Sequence, residues 1–345
     1  MDTRLAQLPL SAYVREQLLA RLVRLEEEWA RCAEHSGADS VHDLRVAIRR
    51  LREALRLFKN LFPKQQRKQV RTELSLNMSL AGRTRDIDIA RDSFARADVQ
   101  LSPELALHLS NERAVAEAAL RASLSAGLRS GFGARWRDTL RLNTESPWHP
   151  EEVPEANSSR SPRGKRRDLW HETETAAGNA RRVLPLLLEQ FCKAGERLAH
   201  DDVDPATLHR LRLEGKHLRY TLELFRPIYG RRMDDLIAAL KDTQTRLGDI
   251  TDSTATTAWL KSQGIHHRPE ARQLQLFLQH RAQKLSAQFV EYWREHWGLP
   301  AFRQQRIHYL ARFAGQAPPS AVKRAQTAGS PPETVLAAPD EDLSA

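Results

Sequence analysis

An all-α protein made of two copies of one helical unit is what the 345-residue sequence predicts, on three observations. Aromatic residues make up only 6%, glycine is scarce, and Leu, Ala, Arg and Glu dominate, a composition that favours helices over sheets. Apolar residues recur at helical spacing over most of 3–142 and 168–315. The stretch VHDLRVAIRRLREALRLF at 41–58 aligns without gaps to LHRLRLEGKHLRYTLELF at 208–225.

The elements follow in order. LAQLPLSAYVREQLLARLVRLEEEWA opens the first copy and corresponds to HETETAAGNARRVLPLLLEQFCKAGERLAH in the second. In the aligned helix His42 falls on His209. Leu44, Arg45, Leu51, Arg52, Leu55, Leu57 and Phe58 fall on Leu211, Arg212, Leu218, Arg219, Leu222, Leu224 and Phe225. One deletion later AGRTRDI (81–87) meets LGDITDS (247–253), setting Gly82 on Gly248 and Asp86 on Asp252. Helices are expected over about 3–35, 41–61, 64–98 and 102–142, then 168–200, 205–228, 231–263 and 268–315. The short connections imply antiparallel neighbours, so each copy is expected to be a four-helix bundle, the two being pseudo-symmetric. Residues 3–142 form the first bundle and 168–315 the second. Residues 143–167, rich in Pro, Ser and charge, read as a linker, and 316–345 read as a disordered tail.

The net charge of +10 attracts polyanions or anionic surfaces. The tail is acidic, so the helical part is more basic still. Cys32 and Cys192 form no CxxC, which argues against a disulfide scaffold or a cysteine zinc site. The N-terminus has no apolar signal core, and no apolar run reaches the roughly 18 residues of a membrane span. The expected location is the cytoplasm, with no membrane partner.

At 100° per residue, His42, Arg45, Arg49, Arg52 and Arg56 share a stripe roughly 80° wide that flanks the core face of their helix. Arg50 points away from it. His209, Arg212, Lys216 and Arg219 repeat the stripe, with Glu223 in place of Arg56 and Gly215 in place of the core residue Ile48. Asp43 and Glu53 lie off the stripe, so the cations repel one another unless an external anion is bound. The stripe is about 21 Å long, too long for one phosphate and suited to a linear polyanion. Arginine forks grip phosphate oxygens bidentately. Asp39 or Ser40 is expected to cap the helix, with Ser40 and Asp43 forming a capping box beside His42.

These residues carry a resemblance. HxxRVxxRRLRxxLxxF from His42 to Phe58, and HxxRxxxKHLRYxLELF from His209 to Phe225, resemble the paired signatures of the CHAD domain, the conserved-histidine α-helical domain. Gly82–Asp86 and Leu247–Gly248 with Asp252 resemble its glycine-aspartate elements, although Ala81 stands where leucine is usual. The resemblance spans nearly all of 3–315. It implies two four-helix bundles around a basic central cleft that binds inorganic polyphosphate without catalysis. It assigns phosphate contacts to His42, Arg45, Arg49, Arg52, His209, Arg212, Lys216 and Arg219, with Arg50, Arg56 and Arg85 as further candidates. Polyphosphate granules are then a second expected location. Nothing resembles the CYTH triphosphatase domain that many members also carry.

Three other readings compete. A metal site at His42 and His209 is disfavoured by the surrounding arginines, and a divalent cation enters only as a counterion of the polyanion, so no cofactor is expected. A metal-dependent phosphohydrolase would use His42, Asp43, Asp86 and Asp88, but Asp43 diverges from His42 and its match is Arg210. Single-stranded nucleic acid is the main alternative partner on charge, but Trp136, Trp148, Trp293 and Trp297 do not interleave with the stripe as a stacking platform would. Lys165, Arg166 and Arg167 form a basic run that could fold over a bound polyanion.

Overall fold

In a computed structural model, residues 2–143, 169–196, 198 and 205–315 are described. Nearly all of the expected linker, with Lys165, Arg166 and Arg167, and the expected tail at 316–345 lie outside the described residues. So does Trp148.

The described residues are helical, with one isolated antiparallel bridge between Pro9 and Thr175. In the first half these are α1 (Thr3–Gln7), α2 (Leu10–Glu34), α3 (Ala38–Leu57), a 3-10 turn (Lys59–Leu61), α4 (Lys64–Arg96), α5 (Pro103–Arg129) and α6 (Phe132–Thr139). In the second half they are α7 (Ala176–Glu196), α8 (Pro205–Tyr229), α9 (Arg232–Ser262), α10 (Pro269–His296) and α11 (Pro300–Arg312). The all-α class is as expected. Among the described residues, no helix is long and apolar enough to cross a membrane.

Three expected long helices are broken. Pro9 separates α1 from α2, Gly131 turns the chain at φ 60° before α6, and Gly298 with Pro300 separates α10 from α11. Residues 171–175 do not join α7. Leu10 and Ala176 exchange backbone hydrogen bonds with Glu174 and Leu8 instead, and Asn179 holds both backbone groups of His171. Periodicity reads through such breaks, because the hydrophobic faces on either side remain in phase.

Successive helices pack as neighbours, α2 to α5 in one half and α7 to α10 in the other, with α11 laid along α7. The halves meet where α3 contacts α8 and α4 contacts α9. One apolar core runs through both, from Leu5 to Ala314. Phe58 and Phe225, matched in sequence, meet there at 6.3 Å between ring centroids, and Trp170 stacks on Phe225 at 5.3 Å. The Tyr13 hydroxyl on α2 donates to the Leu224 carbonyl on α8 at 2.6 Å, which satisfies a polar tip inside that core. A second cluster joins the far ends, packing Phe94, Val99, Leu105 and Leu109 against Leu260, Ile265, Ala271, Leu274 and Leu278. The exchange of Ile48 for Gly215 has a local cause. A Cβ at Gly215 would lie 3.1 Å from the Phe191 ring, which occupies the volume that isoleucine fills in α3.

Candidate polyanion-binding site

Helix α3 begins earlier than its sequence suggests. Gly37 precedes the first turn, and the Val41 amide already bonds to the Gly37 carbonyl, so His42 lies beyond the free N-terminal amides. Ser40 donates back to the His35 carbonyl, and Asp43 pairs with Arg31 at 2.6 Å. The expected capping box does not form, because both side chains have partners outside the helix.

Arg45, Arg49, Arg212 and Lys216 come within electrostatic reach of one another where the halves meet. Arg45 lies across α4, where its Nη1 donates to the Met78 carbonyl at 3.4 Å. A Cβ at Gly82 would sit 3.0 Å from that nitrogen, so a glycine in mid-helix admits the guanidinium. Its sequence match repeats the arrangement. A Cβ at Gly248 would come 3.5 Å from Arg212 Nη2, and Arg212 reaches Asp252 at 3.5 Å. A mid-helix glycine costs about 1 kcal/mol of helix stability, which the close approach of Arg45 explains at Gly82, whereas the Arg212 contact at Gly248 is an ordinary one.

Burial and neighbouring cations depress the basicity of several of these groups. Burial lowers Arg45, with Arg49 adding to the effect, while Asp86 and Asp252 oppose it. Lys216 is pushed down to about 8 by burial and by Arg212 and Arg49. His42 is lowered by burial and by Arg49, Arg85 and Arg45. Because Lys216 responds to Arg49, and Arg45 to Asp252, the two halves share one electrostatic site. Arg85, a secondary candidate, belongs to it. The Nε atoms of Arg49 and of Arg212 are buried and have no hydrogen-bond partner. Such donors are costly to leave unmade. Arg52 sits farther along α3, lowered by burial and by Arg71 on α4. Arg71 was not on the stripe; its signal in the sequence is its spacing of one helical turn from Arg67, which is lowered by burial and by the same neighbour. His42 and His209 are more exposed than Arg45, Arg49, Arg52, Arg212 and Lys216.

Other candidates have their charge satisfied internally. Arg219 donates to Glu223 at 2.7 Å and to Gln244 at 2.9 Å, and stacks on Tyr220 at 4.6 Å. Arg50 donates to the other Glu223 oxygen at 2.9 Å. Arg56, placed on the stripe by angle, pairs with Glu53 at 2.7 Å and touches His217. Glu53, expected to lie apart, bonds to His217 across the seam. Burial works to raise its pKa, but His217 and Arg56 bring it down to about 2.

The residues of the phosphohydrolase alternative are dispersed among partners, Asp43 on Arg31 and Asp88 on Arg113 at 2.9 Å. Among the described residues, no three His, Cys, Asp or Glu side chains come together as a metal site. Trp136, Trp293 and Trp297 are buried in the core, away from any surface on which bases could stack.

Comparison with known proteins agrees with this architecture. The chain is 28% identical over 243 residues to the uncharacterized protein MT2285 of Mycobacterium tuberculosis, a match covering 69% of this chain and 43% of that protein. The chain therefore spans less than half of that relative's length. The crystal structure of the CHAD domain from the plant Ricinus communis superposes with a TM-score of 0.55 at 21% identity, covering 90% of this chain and 94% of that one. PptA from Streptomyces chartreusis superposes with a TM-score of 0.52 at 16% identity, covering 81% and 99%. At those identities the likeness concerns the fold. The sequence profile of the CHAD domain matches residues 14–261, well over half of the chain. The chain belongs to the CHAD domain family.

Proposed function

We propose that this protein binds inorganic polyphosphate, without catalysis, along the seam where α3 and α8 meet. The reading rests above all on the buried, unpartnered Nε donors of Arg49 and Arg212, one from each sequence copy. A chain of phosphate oxygens satisfies both donors and relieves the cation repulsion that adds to burial in holding Lys216 near 8. Arg45, Arg49, Arg52, Arg85, Arg212 and Lys216 make the central contacts, with the more exposed His42 and His209 beside them. Arg219, tied to Glu223 and Gln244, braces the seam and makes no direct contact with the phosphate chain. Residues 3–142 and 168–315 are the two halves that supply the paired helices, and recruitment to polyphosphate granules follows from the same binding.

The test is titration of the full chain with polyphosphate, with single-stranded RNA as competitor at several salt concentrations. Arg49→Glu combined with Arg212→Glu is expected to abolish retention while helicity by circular dichroism is unchanged. Binding retained in that variant, or RNA binding as tight as polyphosphate binding, contradicts the proposal.

A further inference from the structure

On the other flank of α3 lies a cavity of about 530 Å³, walled by two helices from each half, α2 and α3 with α8 and α9. Arg50, the arginine that the stripe does not absorb, opens onto it. On the α3 wheel Arg50 and Ala47 stand at roughly 80° and 140°, across the core face from the stripe. Ala20, Ala47 and Ala238 hollow out the cavity, and Ile237 completes an apolar wall.

The polar lining is mostly cationic. Arg21, Arg24, Arg50, Arg226 and Lys241 face only Glu223 and Asp234. Those two carboxylates are already engaged, Glu223 by Arg50 and Arg219 and Asp234 by Arg226. Arg24 is held by Glu27 and Glu28. Arg21 and Lys241 have no carboxylate partner among the described residues. Arg21 is nevertheless fixed in place, since its Nη1 donates to the Gln17 carbonyl at 3.0 Å and to Gln17 Oε1 at 3.2 Å. Its remaining donors are left for something else. Burial pushes its pKa down to about 10, with Arg50 adding to the effect while Tyr13 and Glu223 oppose it.

The sequence-matched positions on the opposite flank are charge-paired. Arg50 matches His217 and Glu223 matches Arg56, and there Glu53 fills the space between them with ion pairs. The two flanks therefore differ in chemistry at these matched positions.

We propose that this cavity is a second anion site, separate from the α3 and α8 stripe, that takes a small organic phosphate: a phosphate monoester carrying a compact apolar or aromatic body. Guanidinium and ammonium donors converging from α2, α3 and α9 suit the several oxygens of a phosphate better than the two of a carboxylate. The apolar wall suits a body that polyphosphate lacks, and the volume lies in the usual range of small-molecule sites. The proposal stands apart from the polyphosphate reading, so either can fail alone.

The experiment is calorimetric titration of the full chain with phenyl phosphate, and with inorganic phosphate as the ligand lacking a body. Phenyl phosphate is expected to bind saturably and more tightly than inorganic phosphate. Ala238→Trp, which fills the cavity from an exposed position, and Lys241→Glu, which reverses its free rim charge, should each weaken phenyl phosphate by about tenfold or more. Both should leave polyphosphate binding unchanged. Arg49→Glu should leave phenyl phosphate binding within about twofold. A loss in Arg49→Glu comparable to that in the cavity variants, or no saturable binding to the unaltered protein, would overturn the proposal.

Discussion

Helices α3 and α8 carry nearly the same basic pattern, His42-Arg45-Arg49-Arg52 and His209-Arg212-Lys216-Arg219, yet hold their charges differently. On α3, Arg49 and Arg52 have no carboxylate partner among the described residues. On α8, Arg212 leans on Asp252, Lys216 is pushed down to about 8, and Arg219 is tied to Glu223 and Gln244. The difference teaches that a repeated motif need not repeat its role. The first copy presents permanent charge, whereas the second supplies one titratable cation and one arginine that braces the seam. The brace has a cause in sequence: Glu223 stands where the first copy has Arg56, which lets Arg50 and Arg219 share one carboxylate across the two halves.

The largest expected effect tests whether the two stripes act together. Reversing Arg49 and Arg212 in one protein should weaken polyphosphate by at least about a hundredfold, since each charge-assisted contact is worth about 1.5–3 kcal/mol. Each single reversal should lose less, and titration calorimetry gives the coupling.

Matched positions 52 and 219 then separate binding from bracing. Arg52→Gln should reduce polyphosphate affinity by about tenfold while leaving the urea midpoint nearly unchanged. Arg219→Gln should do the reverse, costing about 1–3 kcal/mol of stability with little change in affinity, because it deprives partly buried Glu223 of a partner. Equal behaviour of the two variants would erase the distinction drawn here.

Lys216 provides a pH signature. A bound polyanion adds negative charge and raises its pKa from about 8, so binding takes up a proton. Affinity should be full below that value and decline as pH rises through it, by at most about tenfold per unit. Lys216→Arg should flatten the profile. The unliganded protein should behave oppositely. Between the folded value and that of an ordinary lysine the unfolded chain binds more protons, so stability rises with pH there.

The smallest effect concerns the two glycines. Gly82→Ala forces Arg45 Nη1 to shift by a few tenths of an ångström, and a decrease in affinity of about twofold is expected. At Gly248 the contact with Arg212 is ordinary, so Gly248→Ala should leave binding unchanged and add about 0.5–1 kcal/mol of stability from helix propensity. Thermal melts with paired titrations distinguish the two.

Much of this was legible beforehand. Helical periodicity located α3, α4, α8 and α9 to within a few residues, because it reports how side chains line up one turn apart within a helix. Alignment of 41–58 with 208–225 identified the paired helices and the family. The periodicity failed at Pro9, Gly131 and Pro300, where the core faces stay in phase across a break. The capping box failed because Asp43 found Arg31, and Ser40 the His35 carbonyl, on the preceding segment.

By itself, then, the sequence determined the helical class, the family, the two basic stripes and the glycines that accompany them, all of which are encoded in local spacing. Only the tertiary structure decided which cations remain available. Arg50 meets Glu223 across 173 positions of the chain and His217 meets Glu53 across 164, and no pattern within one helix reports a partner on another. Charge neutralisation depends on distances of a few ångströms between side chains, and those distances are set where α3 packs against α8.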